Sequence, residues 1–160
     1  MKERTHKLRI LNAFIEADRK ILLSLNAEVE KITPEIKSFV RDLHYTLDKT
    51  DNGVGLAAPQ VGLNKRIFVI HYGGCRMTVI NPVILWCGGK NVENEGCLSV
   101  PGVITPIVRP EIIEMTYINL DKKFEKVRLD GWLARIFQHE YDHLEGILIL
   151  DFAKGEGPII

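Results

Sequence analysis

Residues 139–143 read HEYDH, a His-Glu-x-x-His signature, and a cysteine, Cys97, stands upstream in EGCLS at 95–99. On a helix turning about 100° per residue, His139 and His143 lie about 40° apart around the axis and one turn apart along it. Two imidazoles so placed can close on one metal ion, and Glu140 beside them can take up and return a proton. This is metallohydrolase chemistry, and its kind depends on the third ligand. The extended form HExxHxxGxxH finds Gly146 at its glycine but Ile149 where its third histidine would stand. A downstream glutamate, the other familiar third ligand, has little chain to come from. Only 17 residues follow His143, and their acids are Glu145, Asp151 and Glu156. Glu145 lies on the same turn, Asp151 in an apolar run and Glu156 in a Gly/Pro tail. The third ligand is therefore expected from upstream.

Three cysteines are available there. Cys75 follows a Gly-Gly turn and Cys87 ends the apolar run PVILWC, so both read as buried small hydrophobes. Cys97 differs, because it follows Gly96 in a polar, turn-rich stretch, GGKNVENEGCLS, where a thiol can face a cleft. A Cys97–His139–His143 set leaves one position open for water, as a catalytic metal needs and a closed structural site does not.

GVGLAAPQVG at 53–62, EGCLSVPG at 95–102 and QHEYDHLEG at 138–146 resemble, in order, the three motifs of the peptide deformylase family. The resemblance spans about residues 34–152. Three motifs together are far more specific than the helix signature alone. The short distance from the first to the second is similar to the compact form of the family. The resemblance implies a metal-dependent hydrolase that removes the formyl group from the N-terminal formyl-methionine of new bacterial polypeptides and releases formate. It implies Cys97, His139 and His143 as metal ligands and Glu140 as the catalytic base. Gln60 and the backbone N–H of Leu98 become the donors to a developing oxyanion, and Val54, Gly55 and Gly96 border the bound formyl-methionine. The implied metal is Fe²⁺, with Zn²⁺, Ni²⁺ or Co²⁺ as replacements, and thiolate with imidazole suits all of these. Two other readings stand beside this one. A small HExxH metallopeptidase lacks its downstream ligand here. A folded but inactive homologue that binds formylated N-termini or stores metal has Gln60, Cys97 and Glu140 against it.

The residues support the implied chemistry on their own terms. Formamide hydrolysis needs an activated water, a stabilised oxyanion and a proton for the departing amine. The glycines and alanines of GVGLAAP leave the backbone open to close approach, so an extended peptide can dock on it through its main chain. A methionine pocket should be apolar. Ile136, on the histidine side of the helix, and Phe137 are candidates for it. Asp142, Glu95 and Arg109 are candidates for ion pairs that orient the ligands. Surface salt bridges are the ordinary alternative for all three.

The elements that must position these groups are legible in outline. The chain has 160 residues, 46% of them hydrophobic, and 21 basic residues balance 21 acidic ones. One domain over residues 1–160 is expected, with no charge footprint for nucleic acid or membrane. No apolar run approaches the roughly 18 residues needed to span a bilayer. An odd cysteine count and the lack of a signal-like start after MKERTHK point to a reducing cytoplasm. KLRIL at 7–11 reads as a first strand. Residues 34–48 predict a helix, with Thr33 as its cap, Pro34 in its first turn and an apolar stripe from Ile36 to Leu47. KRIFVIHY and CRMTVI predict a hairpin around Gly73-Gly74, and PVILW adds a strand. Residues 110–120 and 124–129 predict a second hairpin, and 131–145 the motif helix, ended by Gly146. The fold class is α+β, with antiparallel sheets around the motif helix and one further, N-terminal helix.

Departures from the family pattern cluster away from the metal. NAFIEADRKILLSL replaces the family's Pro-Asp-Pro-like turn. Ile104 stands where several members carry an arginine that meets the substrate backbone. AKGEGPII replaces the C-terminal helix linked to ribosome docking, which makes such docking doubtful here.

Overall fold

The computed structural model describes residues 4–155 and 157. Two helices precede the strands, α1 (Glu16–Leu22) and α2 (Pro34–Asp48). The second begins where the sequence predicts. Thr33 Oγ1 accepts from the Ile36 N–H at 3.3 Å and Pro34 occupies the first turn. Such a cap is worth about 1 kcal/mol. Next come β1 (Gly55–Ala57), a single tight turn over Ala58–Val61, β2 (Ile67–Tyr72), β3 (Cys75–Gly88) and β4 (Asn91–Cys97). β5 (Val100–Arg109), β6 (Ile112–Ile118) and β7 (Phe124–Asp130) lead into α3 (Gly131–Leu144), and α4 (Ile149–Ala153) closes the order.

An antiparallel sheet runs β1-β2-β3-β6-β7, and β4-β5 form a separate antiparallel pair. Gly73 and Gly74, with φ of +57° and +79°, make the two-residue turn that sets the β2–β3 register. β2 is apolar without alternation because both of its faces are covered. Phe68 and Ile70 pack with Ile136 and Phe137 of α3, while Ile67 and Val69 pack with Val40, Leu43 and Leu47 of α2. The metal-motif helix and the N-terminal helix thus grip opposite faces of one strand, which bears out the α+β expectation.

Several local expectations change. KLRIL is extended but joins no sheet. Its Leu8 N–H goes to Thr46 Oγ1 of α2, and the Leu11 N–H to the Gln60 carbonyl. The divergent segment after it folds around buried Asp18, which accepts from both terminal nitrogens of Arg9 and from the Asn12 N–H, and continues into α1. PVILW extends β3 through two register shifts instead of starting a new strand. Beyond Ile80, where its pairing with β2 ends, β3 pairs with β6. Cys87 is consequently exposed and Cys75 half-buried, so the expectation that both are buried fails. The polar stretch around Cys97 is a strand, β4, and not a loop. Residues 1–3, Glu156 and residues 158–160 lie outside the described residues. Among the described residues no helix is long and apolar enough to cross a membrane.

A chain of polar groups pins the end of α2 to the sheet. Asp48 Oδ1 meets His71 Nδ1 at 2.9 Å, His71 Nε2 meets His44 Nδ1 at 2.7 Å, and His44 Nε2 meets Thr78 Oγ1 at 2.8 Å. The two imidazole centroids are 4.9 Å apart with planes 7° apart, so the rings lie edge to edge in one plane. One proton per contact, running from Thr78 toward Asp48, satisfies every member with both imidazoles neutral. Burial, followed by the positive charge of Arg76, pushes His44 down to about 4, and His71 is lowered by the same two causes. The unfolded chain therefore takes up protons below about pH 6.5 that the folded chain refuses until about pH 4. The contribution of the two histidines to stability should fall as the pH drops through that window and be constant above it. His44→Gln should flatten the dependence of Tm on pH between about 6.5 and 4. Thermal melts with an undiminished acid slope would remove His44 as its source.

Candidate active site

β7 feeds directly into α3 through Gly131, whose φ of +57° makes the sharp turn from strand to helix. The far end is fixed just as firmly. The Ile147 N–H returns to the Asp142 carbonyl and the Gly146 N–H to that of His143, with Gly146 at φ +70°, a Schellman ending. Asn26 Nδ2 caps the His143 and Leu144 carbonyls. Between these fixed ends the His139 and His143 rings stand 5.1 Å apart, edge to face at 69°.

Cys97 ends β4, opposite Val100, with Leu98 and Ser99 as the two-residue turn between. That hairpin tip brings Cys97 Sγ to 3.4 Å from His143 Nε2. The thiol and one nitrogen from each of His139 and His143 all lie within 4.8 Å of one another. His139 Nδ1 is tied to Glu95 Oε2 at 2.9 Å, which turns its Nε2 toward the other two. Glu95 in turn is held by Arg109, through Nε at 2.5 Å and Nη2 at 2.8 Å, and Arg109 Nη1 reaches Asp142 at 2.9 Å. A thiolate and two imidazoles on separate, rigid elements suit a divalent transition metal with an open position. The oriented His139 is the arrangement that metal-ligating histidines show.

Glu140 is 3% exposed, and its Oε2 has no partner among the described residues. The space it occupies exists because residue 55 is glycine. A Cβ built on Gly55 would come within 2.5 Å of Glu140 Oε1 and 2.9 Å of its Cγ and Cδ. Gln60, also buried, is oriented by accepting from the Ala57 N–H at 2.8 Å. Its Nε2 then points at Ser99 Oγ (3.3 Å) and Cys97 Sγ (3.8 Å). The N-terminal arm holds both turns from behind, with the Leu11 N–H on the Gln60 carbonyl and the Ala13 N–H on that of Ser99.

These groups open onto a cleft of about 470 Å³. Val54, Gly55, Gln60, Gly96, Cys97, Leu98, Ile136, His139 and Glu140 all line it. The sequence-predicted set therefore converges on one place, with His143 just behind Cys97. Phe137 does not join it. It is fully buried against Phe68, ring centroids 4.6 Å apart, on the opposite side of the helix. Ile104 sits at the rim, 73% exposed. Asp142, Glu95 and Arg109 form a buried network and not surface salt bridges.

Comparison with known proteins decides what this arrangement belongs to. The family model described as polypeptide deformylase matches residues 11–157. The chain is 48% identical to the peptide deformylase of Dictyoglomus thermophilum over 136 residues, which covers 85% of this chain and 88% of that one. The chain belongs to the polypeptide deformylase family. Solved structures agree. The peptide deformylase of Thermotoga maritima superposes with a TM-score of 0.85 at 39% identity, covering 91% of this chain and 97% of the other. That of Synechococcus elongatus, solved in complex with actinonin, gives 0.84 at 35% identity, covering 94% and 85%. The family is metal-dependent and acts on formylated nascent peptides, so the chain is a hydrolase of that class.

Burial and mutual contact set the electrostatics of the site. Burial, against which the charge of His139 works, pushes the Glu140 carboxyl up to about 7. Burial also pulls His139 down, yet its hydrogen bonds to Cys97 and Glu95 outweigh this and leave it raised. His143 is lowered, first by burial and then by the charge on His139. Burial alone would raise Glu95, but Arg109 and His139 hold it well below the usual carboxylate range.

Sequence reasoning passed over Ser99, Trp132 and Arg135. Trp132 and Arg135 line the cleft, and Ser99 meets Gln60. An arginine inside the apolar run LARIF was the one available signal. Gly55→Ala should leave the fold intact, with Tm lower by a few degrees at most, and cut kcat on the order of 10²-fold by displacing the Glu140 side chain. A variant turning over at the wild-type rate would mean that Glu140 need not stand where Gly55 lets it.

Proposed function

We propose that this chain, as a single domain, hydrolyses the N-formyl group of formylmethionyl peptides at the cleft between β1, the β4–β5 hairpin and α3. The observation that carries the reading is the buried, unpartnered Glu140 Oε2 beside the Cys97, His139 and His143 ligand atoms. Those three residues would hold one divalent cation, Fe²⁺ in the native protein, with Zn²⁺, Ni²⁺ or Co²⁺ as functional replacements. Bound there, the cation would lower the pKa of the attacking water and draw electron density from the formyl oxygen.

The remaining steps belong to the protein. Glu140 takes the proton of the water as its oxygen bonds to the formyl carbon. Gln60 Nε2 and the Leu98 backbone N–H donate to the oxygen on which charge develops. Each such donor is worth on the order of 10²–10³ in rate. As the C–N bond breaks, Glu140 passes its proton to the departing amine, leaving formate and a methionyl N-terminus. A carboxyl already inclined to hold a proton near neutrality suits both halves of that cycle.

Val54, Gly55, Gly96 and Ile136 would contact the formyl-methionine, the glycines by letting the substrate backbone approach and Ile136 as an apolar wall. The substrate's source places the enzyme in the cytoplasm with nascent chains. Docking on the ribosome is not part of this reading.

Formate release from formyl-Met-Ala, measured beside metal content, tests the proposal. Glu140→Ala should retain the metal and lose nearly all turnover, and full activity would sink the proposed mechanism. Cys97→Ser should weaken or change metal binding. Unchanged metal content and rate in that variant would remove the thiol from the ligand set.

A further inference from the structure

Arg135 lies one helical turn before His139 and is 4% exposed, an unusual burial for a charge that touches no metal ligand directly. Its Nη1 donates to Glu95 Oε1 at 2.6 Å and to the Ile107 carbonyl of β5 at 3.0 Å. Its Nη2 donates to the Asn91 carbonyl of β4 at 2.8 Å. One guanidinium thus bonds both strands of the hairpin that carries Cys97, from the helix that carries His139 and His143. Its Cζ lies over the Trp132 ring, 5.8 Å from the centroid.

The contacts on Glu95 show why a second arginine is there. Oε1 receives Arg109 Nε and Arg135 Nη1, while Oε2 receives Arg109 Nη2 and His139 Nδ1. All four acceptor positions of the carboxylate are filled. Arg109 is shared with Asp142, so it alone faces two carboxylates. Arg135 brings the buried cluster to two cations against two anions. It also reaches Glu95 from the histidine helix itself.

We propose that Arg135 is a positioning residue of the metal centre. It sets the spacing between α3 and the β4–β5 hairpin, and so between the two histidines and Cys97, and it holds Glu95 against His139. This rests on the reading that Cys97, His139 and His143 hold a divalent cation. A lysine could supply the charge but not the planar fork that meets Glu95, Asn91 and Ile107 at once.

Loading the full chain with Co²⁺ tests this, because the cobalt–thiolate absorption reports the Cys97 bond and release into excess chelator reports affinity. Arg135→Met should release Co²⁺ about 10- to 100-fold faster than wild type and alter the thiolate band. Arg135→Lys should recover part of both. A Met variant that melts at a lower temperature yet keeps the wild-type band and release rate would make Arg135 a core residue only, and overturn the proposal. Should Arg135→Met fail to fold, Arg135→Lys decides alone: faster release supports the proposal, and an unchanged rate overturns it. Wild-type protein that takes up Co²⁺ without a thiolate band would overturn the ligand set itself, and this inference with it. Wild-type binding with unaffected variants would overturn only the role of Arg135.

Discussion

A buried carboxylate organises this molecule. Glu95 is 5% exposed, and a lone charge at such a depth would cost several kcal/mol. The cost is offset only if every lone pair meets a donor in good geometry, and the donors come from two other elements. Arg109 stands on β5, Arg135 and His139 on α3, and Glu95 itself on β4. Satisfying one side chain therefore fixes a hairpin outside the main sheet against the helix inside it. The ligand triangle is a by-product of that requirement. Cys97 lies two residues beyond Glu95, and His143 one turn beyond His139.

The second constraint is a lack of space. α3 and α2 close on opposite faces of β2, and β1 lies alongside it with Gly55 opposite Ile70. The Glu140 side chain has to pass over β1 at residue 55, and it fits because nothing projects there. Buried and without a partner on Oε2, Glu140 is held by shape more than by hydrogen bonds. This suits the proton-carrying part proposed for it. The glycine and the glutamate are far apart in the chain but act as one fitting.

What the sequence disclosed follows the range over which each signal acts. α2 was readable from Thr33, Pro34 and a stripe within one helix, and the Gly73-Gly74 hairpin from two residues. The site residues were readable because their chemistry is written in short motifs, and Gln60, Cys97, His139 and Glu140 do meet at one cleft. β4 was not readable, because Asn91, Glu93 and Asn94 look like loop and Glu95 is buried only through arginines 14 and 40 residues away. Cys87 looked like core, and only the end of the β2–β3 pairing exposes it. KLRIL has the composition of a strand, but its donors find a threonine side chain and a turn carbonyl instead. Arg135 finds its partners, Glu95, Asn91 and Ile107, only once the hairpin is folded onto α3.

The N-terminal arm carries a further consequence for how the molecule comes into being. Leu11 and Ala13 back the turns holding Gln60 and Ser99, and they share a hydrophobic cluster with Val100, Ile107, Leu148 and Ile149. Leu11 and Ala13 are thus made well before Leu148 and Ile149, the partners they wait for. Local elements such as α2 and the β2–β3 hairpin can form early, but this cluster can seal only after α4 has emerged. A copy without α4 therefore cannot seal the cluster that backs Gln60 and Ser99. An enzyme that works on chains still being made is, by its own topology, incomplete until α4 has joined its own fold.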